Sequence, residues 1–230
     1  MTSYQQKQRS LIQEMEQNFQ QGRSHSSVVK PVKDYRHDTR IALTSVVFLP
    51  AEKEEKIIRE VIEPLQKADR RHYYYLPKTL HITIQNIRTI SDPPLFTKED
   101  IEKAQRVFEK IIPQHSPISF QIKRLFELPT SLAMCAFSDE TLKNLILDLR
   151  KELIKAGVPD NKTYASDEIF FGNVTIARYA DTPNQAFFET VSKLKNVDIG
   201  EVTFKKVSLI TTNAVSSPYV TTVHGECEMQ

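Results

Sequence analysis

Two short stretches hold the residues best suited to chemistry: "LHITI" at 80–84 and "NVTIAR" at 173–178. In an extended strand, alternate side chains share a face. His81, Thr83 and Gln85 are therefore expected to project together, leaving Leu80, Ile82 and Ile84 for packing, and the same parity groups Asn173 with Thr175 above buried Val174 and Ile176. Threonine hydroxyls donate to phosphate oxygens, and an imidazole exchanges a proton near neutral pH. The pattern suits a site that holds a phosphate group between two flanking side chains. A second histidine would complete a symmetric pair, and Asn173 stands in its place. A carboxamide can hydrogen-bond a phosphate oxygen but cannot carry a proton near pH 7, and the loss of one general acid or base slows a reaction by roughly a hundredfold to ten-thousandfold.

The elements that must position these residues recur in a regular order. "RIALTSVVFLP" is β-branched and ends at Pro50, so it predicts a strand. A helix follows with Ile57, Ile58, Val61, Ile62 and Leu65 on its buried face and Pro64 kinking or ending it. "LHITIQNI" is the next strand, and Thr97 caps a helix that buries Ile101, Ala104, Phe108 and Ile111 before the strand "ISFQIKRLFEL". The second half repeats this order. Strand "SLAMCAF" leads to a helix from Ser138–Glu140 that stops at Gly157 and Pro159, and strand "GNVTIARY" follows. A helix capped at Thr182 and Pro183 leads to strands "EVTFKKVSLIT" and "YVTTVHGE". Asn173 lies 92 residues after His81, about one small α+β unit. The expected fold class is α+β: a bilobal, duplicated fold in which two antiparallel or mixed sheets face each other across a central groove, with helices outside. The domain division is an arm at 1–40, with a helix over 4–20 and then a polar linker or strap, followed by a body at 41–230 with approximate halves 41–127 and 131–230.

Composition sets limits. The chain has 230 residues, 40% hydrophobic and 26% charged, with a net charge of +2. Such a chain buries a substantial core, and its slight basicity neither argues for wrapping a long nucleic acid nor opposes a short anionic ligand. Cys135 and Cys227 show no metal-ligand spacing and no disulfide framework, and the amino-terminal residues lack a secretory apolar core. A reducing, cytoplasmic setting is expected, with no membrane span.

Together with "YLPKTLH" leading into the first copy, "LHITI" and "NVTIAR" resemble the motifs of the 2H phosphoesterase superfamily, which includes the 2′,5′ RNA ligase-like proteins and RNA cyclic phosphodiesterases. The resemblance covers the chain from about residue 41 to the end. It implies a bilobal α+β fold in which each lobe brings one His-x-Thr or His-x-Ser motif to a central groove. It implies catalytic roles for His81, Thr83 and Thr175, with Asn173 at the degenerate histidine position, and a ligand contact for Arg178. By strand parity alone Arg178 points away from the groove unless the strand twists or bulges. The implied activity is metal-independent attack on a 2′,3′-cyclic phosphate or a 2′,5′-phosphodiester end of RNA or a small nucleotide, impaired by Asn173. The alternative is a nucleotide or RNA-end binding protein that keeps the groove with little catalysis. No cofactor or metal is expected, and the expected partner is a nucleotide or RNA terminus carrying a phosphodiester.

Other residues are candidates of a second kind. In "KADRRHYYYLPK", Lys67, Arg70, Arg71 and Lys78 interleave with Tyr73, Tyr74 and Tyr75, a mixture suited to phosphates and stacked bases. The plainer reading is a basic helix end and tyrosines covering a core edge. Tyr75, Lys78 and Gln85, with Arg178, are the expected substrate contacts. His72, His115 and His224 border the central elements and could reach the groove, whereas His25 and His37 belong to the polar arm.

Overall fold

The computed structural model describes residues 2–23 and 28–230. Among these, nine strands form one antiparallel sheet in the order β7-β4-β5-β6-β3-β1-β8-β9, with the short β2 paired to β6. They are β1 (Ile41–Phe48), β2 (Tyr73–Tyr74), β3 (His81–Ser91), β4 (Ile118–Leu128), β5 (Ser131–Phe137), β6 (Gly172–Arg178), β7 (Asp198–Phe204), β8 (Lys206–Thr212) and β9 (Thr222–Glu228). The helices are α1 (Ser3–Gln20), α2 (Ala51–Ile57), α3 (Glu63–Ala68), α4 (Lys98–Ile111), α5 (Glu140–Lys155) and α6 (Gln185–Leu194). The fold is α+β, as the alternation of elements predicts. Among the described residues no helix is long and apolar enough to cross a membrane.

The two sheets expected of two lobes meet edge to edge. β3 and β6 pair only at Ile82↔Val174, and that contact joins β1, β3, β8 and β9 to β4–β7. The strand "EVTFKKVSLIT" is broken at Lys205 into β7 and β8. These strands are consecutive in the chain, yet five strands separate them in the hydrogen-bonded order. The sheet must therefore curl back on itself, and the result is a half-barrel. The two strand sets also interleave in sequence: β4 from the first half pairs with β5 and β7, while β8 and β9 from the second half extend β1.

Local sequence explains most boundaries. Thr97 caps α4 through a reciprocal pair with Asp100, and Gly157, at φ +78°, ends the turn after α5. Pro64 has no N–H to give the preceding turn; the helix continues through a π turn at 58–62, where Glu63 N–H reaches Ile58 O, and runs on to Ala68. The cap of α6 is Asn184, whose side chain accepts from Phe187 N at 2.8 Å, rather than Thr182 with Pro183. The carboxamide two residues later gives the N3 amide a better-placed acceptor.

The arm belongs to the body. Tyr4, Gln8 and Ile12 form one buried stripe of α1. Ile12 packs on Phe126, Ala133, Cys135 and Phe137. Buried Gln8 is satisfied at both ends, its Nε2 donating to Phe170 O at 2.6 Å and its Oε1 accepting from Ser138 N at 3.2 Å. Further along, Tyr35 is buried and its hydroxyl donates to Tyr179 O at 3.1 Å, so this stretch straps the body.

The joint between the two strand sets depends on Gly172. A Cβ there would lie 2.6 Å from Ile82 Cγ2, 2.8 Å from Phe120 Cε1 and 3.2 Å from Ala136 Cβ. These neighbours are fully buried and cannot move aside freely. Gly172→Ala is expected to lower stability by about 1–3 kcal/mol, read as a lower midpoint in thermal or urea unfolding; an unchanged midpoint would show that the joint yields.

Candidate active site

The one bridge between β3 and β6 pairs the middle residues of the two motifs. Ile82 lies between His81 and Thr83, and Val174 between Asn173 and Thr175. Antiparallel register then sets His81 next to Thr175 and Thr83 next to Asn173, a local twofold arrangement. All four line one cleft of about 330 Å³.

A second symmetry follows. In the β1–β3 ladder Ser45 faces Gln85 and Val46 faces Thr83, so β3 carries an extra residue at Ile84. In the β5–β6 ladder Leu132 faces Ala177 and Ala133 faces Thr175, so β6 carries one at Ile176. Each bulge directly follows a motif threonine and reverses the parity beyond it. Arg178 thereby enters the cleft, which strict alternation forbids, and its Nε donates to Ala214 O at 3.1 Å.

The same device corrects the expectation for Gln85, which does not share the face of His81 and Thr83. It is buried on the opposite face, donating to Asp160 Oδ2 at 2.8 Å and Tyr164 OH at 3.2 Å. Asn86 takes its place in the cleft and is the counterpart of Arg178. The bulged backbone is satisfied by Ser45, whose hydroxyl accepts from Gln85 N at 3.0 Å and donates to Gln85 O at 3.2 Å.

His81 is held in one tautomer. Its Nδ1 lies 2.8 Å from Thr79 O, so Nδ1 carries the proton and donates, and Nε2 keeps its lone pair. Phe48 and Tyr75 flank the ring at centroid distances of 6.1 and 6.2 Å. Desolvation pushes the imidazole pKa below its ordinary value; the Thr79 carbonyl opposes this, and the nearby Arg178 cation adds to it. His81 is therefore a neutral base at pH 7. Asn213 shapes the rim: its Oδ1 accepts from Val215 N and Ser217 N at 3.2 and 3.1 Å, and Ser216 Oγ sits 3.5 Å from His81 Nδ1.

The remaining predicted contacts divide. Tyr75 lines the cleft, but it is buried and its hydroxyl donates to Ala214 O at 2.7 Å. Lys78 is exposed on a left-handed turn at φ 66°, its backbone N–H on Glu54, outside the cleft lining. Tyr73 and Tyr74 form β2 beside β6, and Tyr74 OH donates to Leu65 O and Asp69 O at 3.0 and 2.6 Å. No further histidine among the described residues lines the cleft. His72 packs on Tyr179 and Phe187, His115 reaches Asp148 at 3.2 Å, His224 meets Thr211 at 2.9 Å, and His37 pairs with Asp34 at 2.6 Å. His25 lies outside the described residues.

Sequence reading missed Lys162, on the segment between α5 and β6, and Val28 and Val29 of the strap, all of which line the cleft. Nothing in "PDNKTYASDE" distinguishes Lys162 from a solvated loop lysine. The described lining contains no aspartate or glutamate, so the cleft offers hydroxyls, amides and cations to an anion. Among the described residues no three His, Cys, Asp or Glu side chains gather as a metal site.

A depressed histidine pKa has a defined linkage sign. The unfolded chain takes up the His81 proton near pH 6.5 and the folded chain only at lower pH, so folding stability falls as pH drops below about 6.5 and levels off below the folded pKa. NMR titration is expected to place the His81 midpoint below 6.5 and to show it rise in Arg178→Gln; a midpoint above 6.5 would contradict the burial described here.

No protein-family model matches the chain, and no curated protein matches its sequence. Solved structures do. TT0787 of Thermus thermophilus superposes with a TM-score of 0.59 at 16% identity, covering 83% of this chain and 97% of that one. E. coli LigT complexed with 3′-AMP gives 0.56 at 13% identity, covering 84% and 99%. A crystal structure described as a phosphoesterase gives 0.56 at 13%, covering 83% and 99%. Across almost the whole length of these proteins, the chain therefore has the fold of LigT and TT0787.

Proposed function

We propose that the cleft is a 2H-type phosphoesterase site for a 2′,3′-cyclic phosphate or a 2′,5′-phosphodiester end of RNA or a small nucleotide, in the reducing cytoplasmic setting that the sequence suggests, with turnover limited by Asn173. The observation that carries this reading is the Ile82↔Val174 bridge, which centres both motifs on one local twofold. The fold is that of LigT, which has been crystallised with 3′-AMP, ATP, NADP+ and phosphate. His81 Nε2 takes a proton from the attacking water, and the Thr83 and Thr175 hydroxyls donate to the non-bridging oxygens. The Asn173 carboxamide adds a neutral donor, and Arg178 offsets the negative charge.

Asn173 itself favours a second reading. With no imidazole there, the cleft keeps its anion donors and loses a proton carrier, the composition of a nucleotide or RNA-end binder. Hydrolysis of 2′,3′-cyclic AMP and binding of 3′-AMP by the natural chain, His81→Ala and Asn173→His separate the two. The enzyme reading expects slow turnover that falls roughly a hundredfold or more in His81→Ala and rises about tenfold or more in Asn173→His. Turnover confined to Asn173→His would establish the binder. Failure of all three proteins both to bind and to react would refute the site.

A further inference from the structure

Lys162 lines the cleft with His81, Thr83, Asn173, Thr175 and Arg178, yet it belongs to neither motif. It sits on a segment without regular secondary structure that is nonetheless anchored by side chains on both sides of it. Just before it, Asn161 Oδ1 accepts from Thr89 N at 2.8 Å, tying the segment to β3. Asp160 accepts from Gln85 and lies 3.4 Å from Arg150 Nε of α5. After it, the Tyr164 ring lies 4.0 Å from the Arg150 guanidinium and its hydroxyl accepts from Gln85 Nε2 at 3.2 Å. The bulge at Ile84 that turns Gln85 away from the cleft thus also supplies the anchor for the Lys162 segment.

The ammonium is half-buried, with Nζ 5.4 Å from the Tyr164 ring centre, and among the described residues no carboxylate lies within 4.0 Å of it. The charged groups that act on it are Arg178 from β6, Arg150 from α5 and Asp160 of its own segment. Desolvation first, then Arg178 and Arg150, bring its pKa down to about 8, against the opposing pull of Asp160. A lysine so placed exchanges protons in the range where an ordinary lysine stays charged.

We propose that Lys162 is the second proton-transfer residue of this cleft, giving a proton to the departing ribose oxygen while His81 takes one from water. The inference rests on the phosphoesterase reading above. In hydrolysis of a 2′,3′-cyclic phosphate, the water oxygen forms a bond to phosphorus as its proton passes to His81 Nε2. The bond from phosphorus to one ribose oxygen breaks, and that oxygen takes a proton from Lys162 Nζ. A phosphomonoester and a free hydroxyl leave. Solvent returns a proton to Lys162 and removes one from His81. The pair needs neutral His81 and charged Lys162, so kcat/KM falls below the His81 pKa and above about pH 8.

The test uses the full chain, 2′,3′-cyclic AMP as substrate and 3′-AMP as the binding probe. Lys162→Arg keeps the charge but cannot exchange protons near pH 8. It is expected to bind 3′-AMP within about threefold of the natural chain, to lose roughly a hundredfold in kcat, and to lose the fall in rate above pH 8. Lys162→Ala is expected to recover part of its turnover with added ethylamine. Full activity and an unchanged pH profile in Lys162→Arg would overturn the proposal while leaving the phosphoesterase reading intact. So would a natural chain that binds 3′-AMP without hydrolysing the cyclic nucleotide, which supports the binder. No binding and no His81-dependent hydrolysis would overturn both.

Discussion

The contact between Ile82 and Val174 is where a set of four strands and a set of five become one sheet, and it brings both motifs to one cleft. Loss of the pair would separate His81 and Thr83 from Asn173 and Thr175. The approach is close enough to exclude a Cβ at Gly172, and the paired side chains are fully buried, so packing fixes the register of the two motifs. The sheet curls because one long stretch, broken at Lys205, supplies both the β7 edge and β8, next to the opposite edge.

The bulges add a second layer of pairing. Each follows its motif threonine by one residue, so the duplicated pattern reads His81-x-Thr83-bulge-x-Asn86 on one strand and Asn173-x-Thr175-bulge-x-Arg178 on the other. The two copies differ in chemistry at both ends. One supplies a base and an amide; the other supplies an amide and a fixed cation. The site is symmetric in backbone and asymmetric in charge. The nearby Arg178 also favours the neutral form of His81.

Much of this was legible in the residues because period-two alternation and cap chemistry are local. The motif strands, β1, β4, β5, α4 and α5 were expected and are present, as is the arm helix. The bulges were not legible, because an extra residue in a ladder depends on the partner strand; they account for the contrary placements of Gln85 and Arg178. The break at Lys205 was legible in "EVTFKKVSLIT", where Lys205 and Lys206 interrupt the alternation and shift the apolar positions from Val202 and Phe204 to Val207 and Leu209. The docking of α1 was not legible because its stripe includes Gln8, a polar residue whose burial depends on an acceptor at Phe170 and a donor at Ser138, far away in sequence. On β5, Ala133 and Cys135 lie opposite Thr175 and Asn173, so α1 packs on the cleft side of the sheet.

With an asparagine at 173, the groups that can hold an anion and the groups that can move a proton are different residues of the cleft. Under the proposed reading, the threonine hydroxyls, the carboxamide and Arg178 would contact an anion in the ground state and in the transition state alike, so they would set affinity more than rate. Only a group that moves a proton as a bond breaks acts selectively on the transition state. Under that reading neutral His81 would accept a proton from the entering water at Nε2, but its own proton is held at Nδ1 on Thr79 O and is not presented to a departing oxygen. Under the same reading, turnover would depend on a second group that can give up a proton. Among the described lining residues, the cations are Lys162 and Arg178. A guanidinium keeps its protons at any ordinary pH, so the ammonium is the one that can give a proton up.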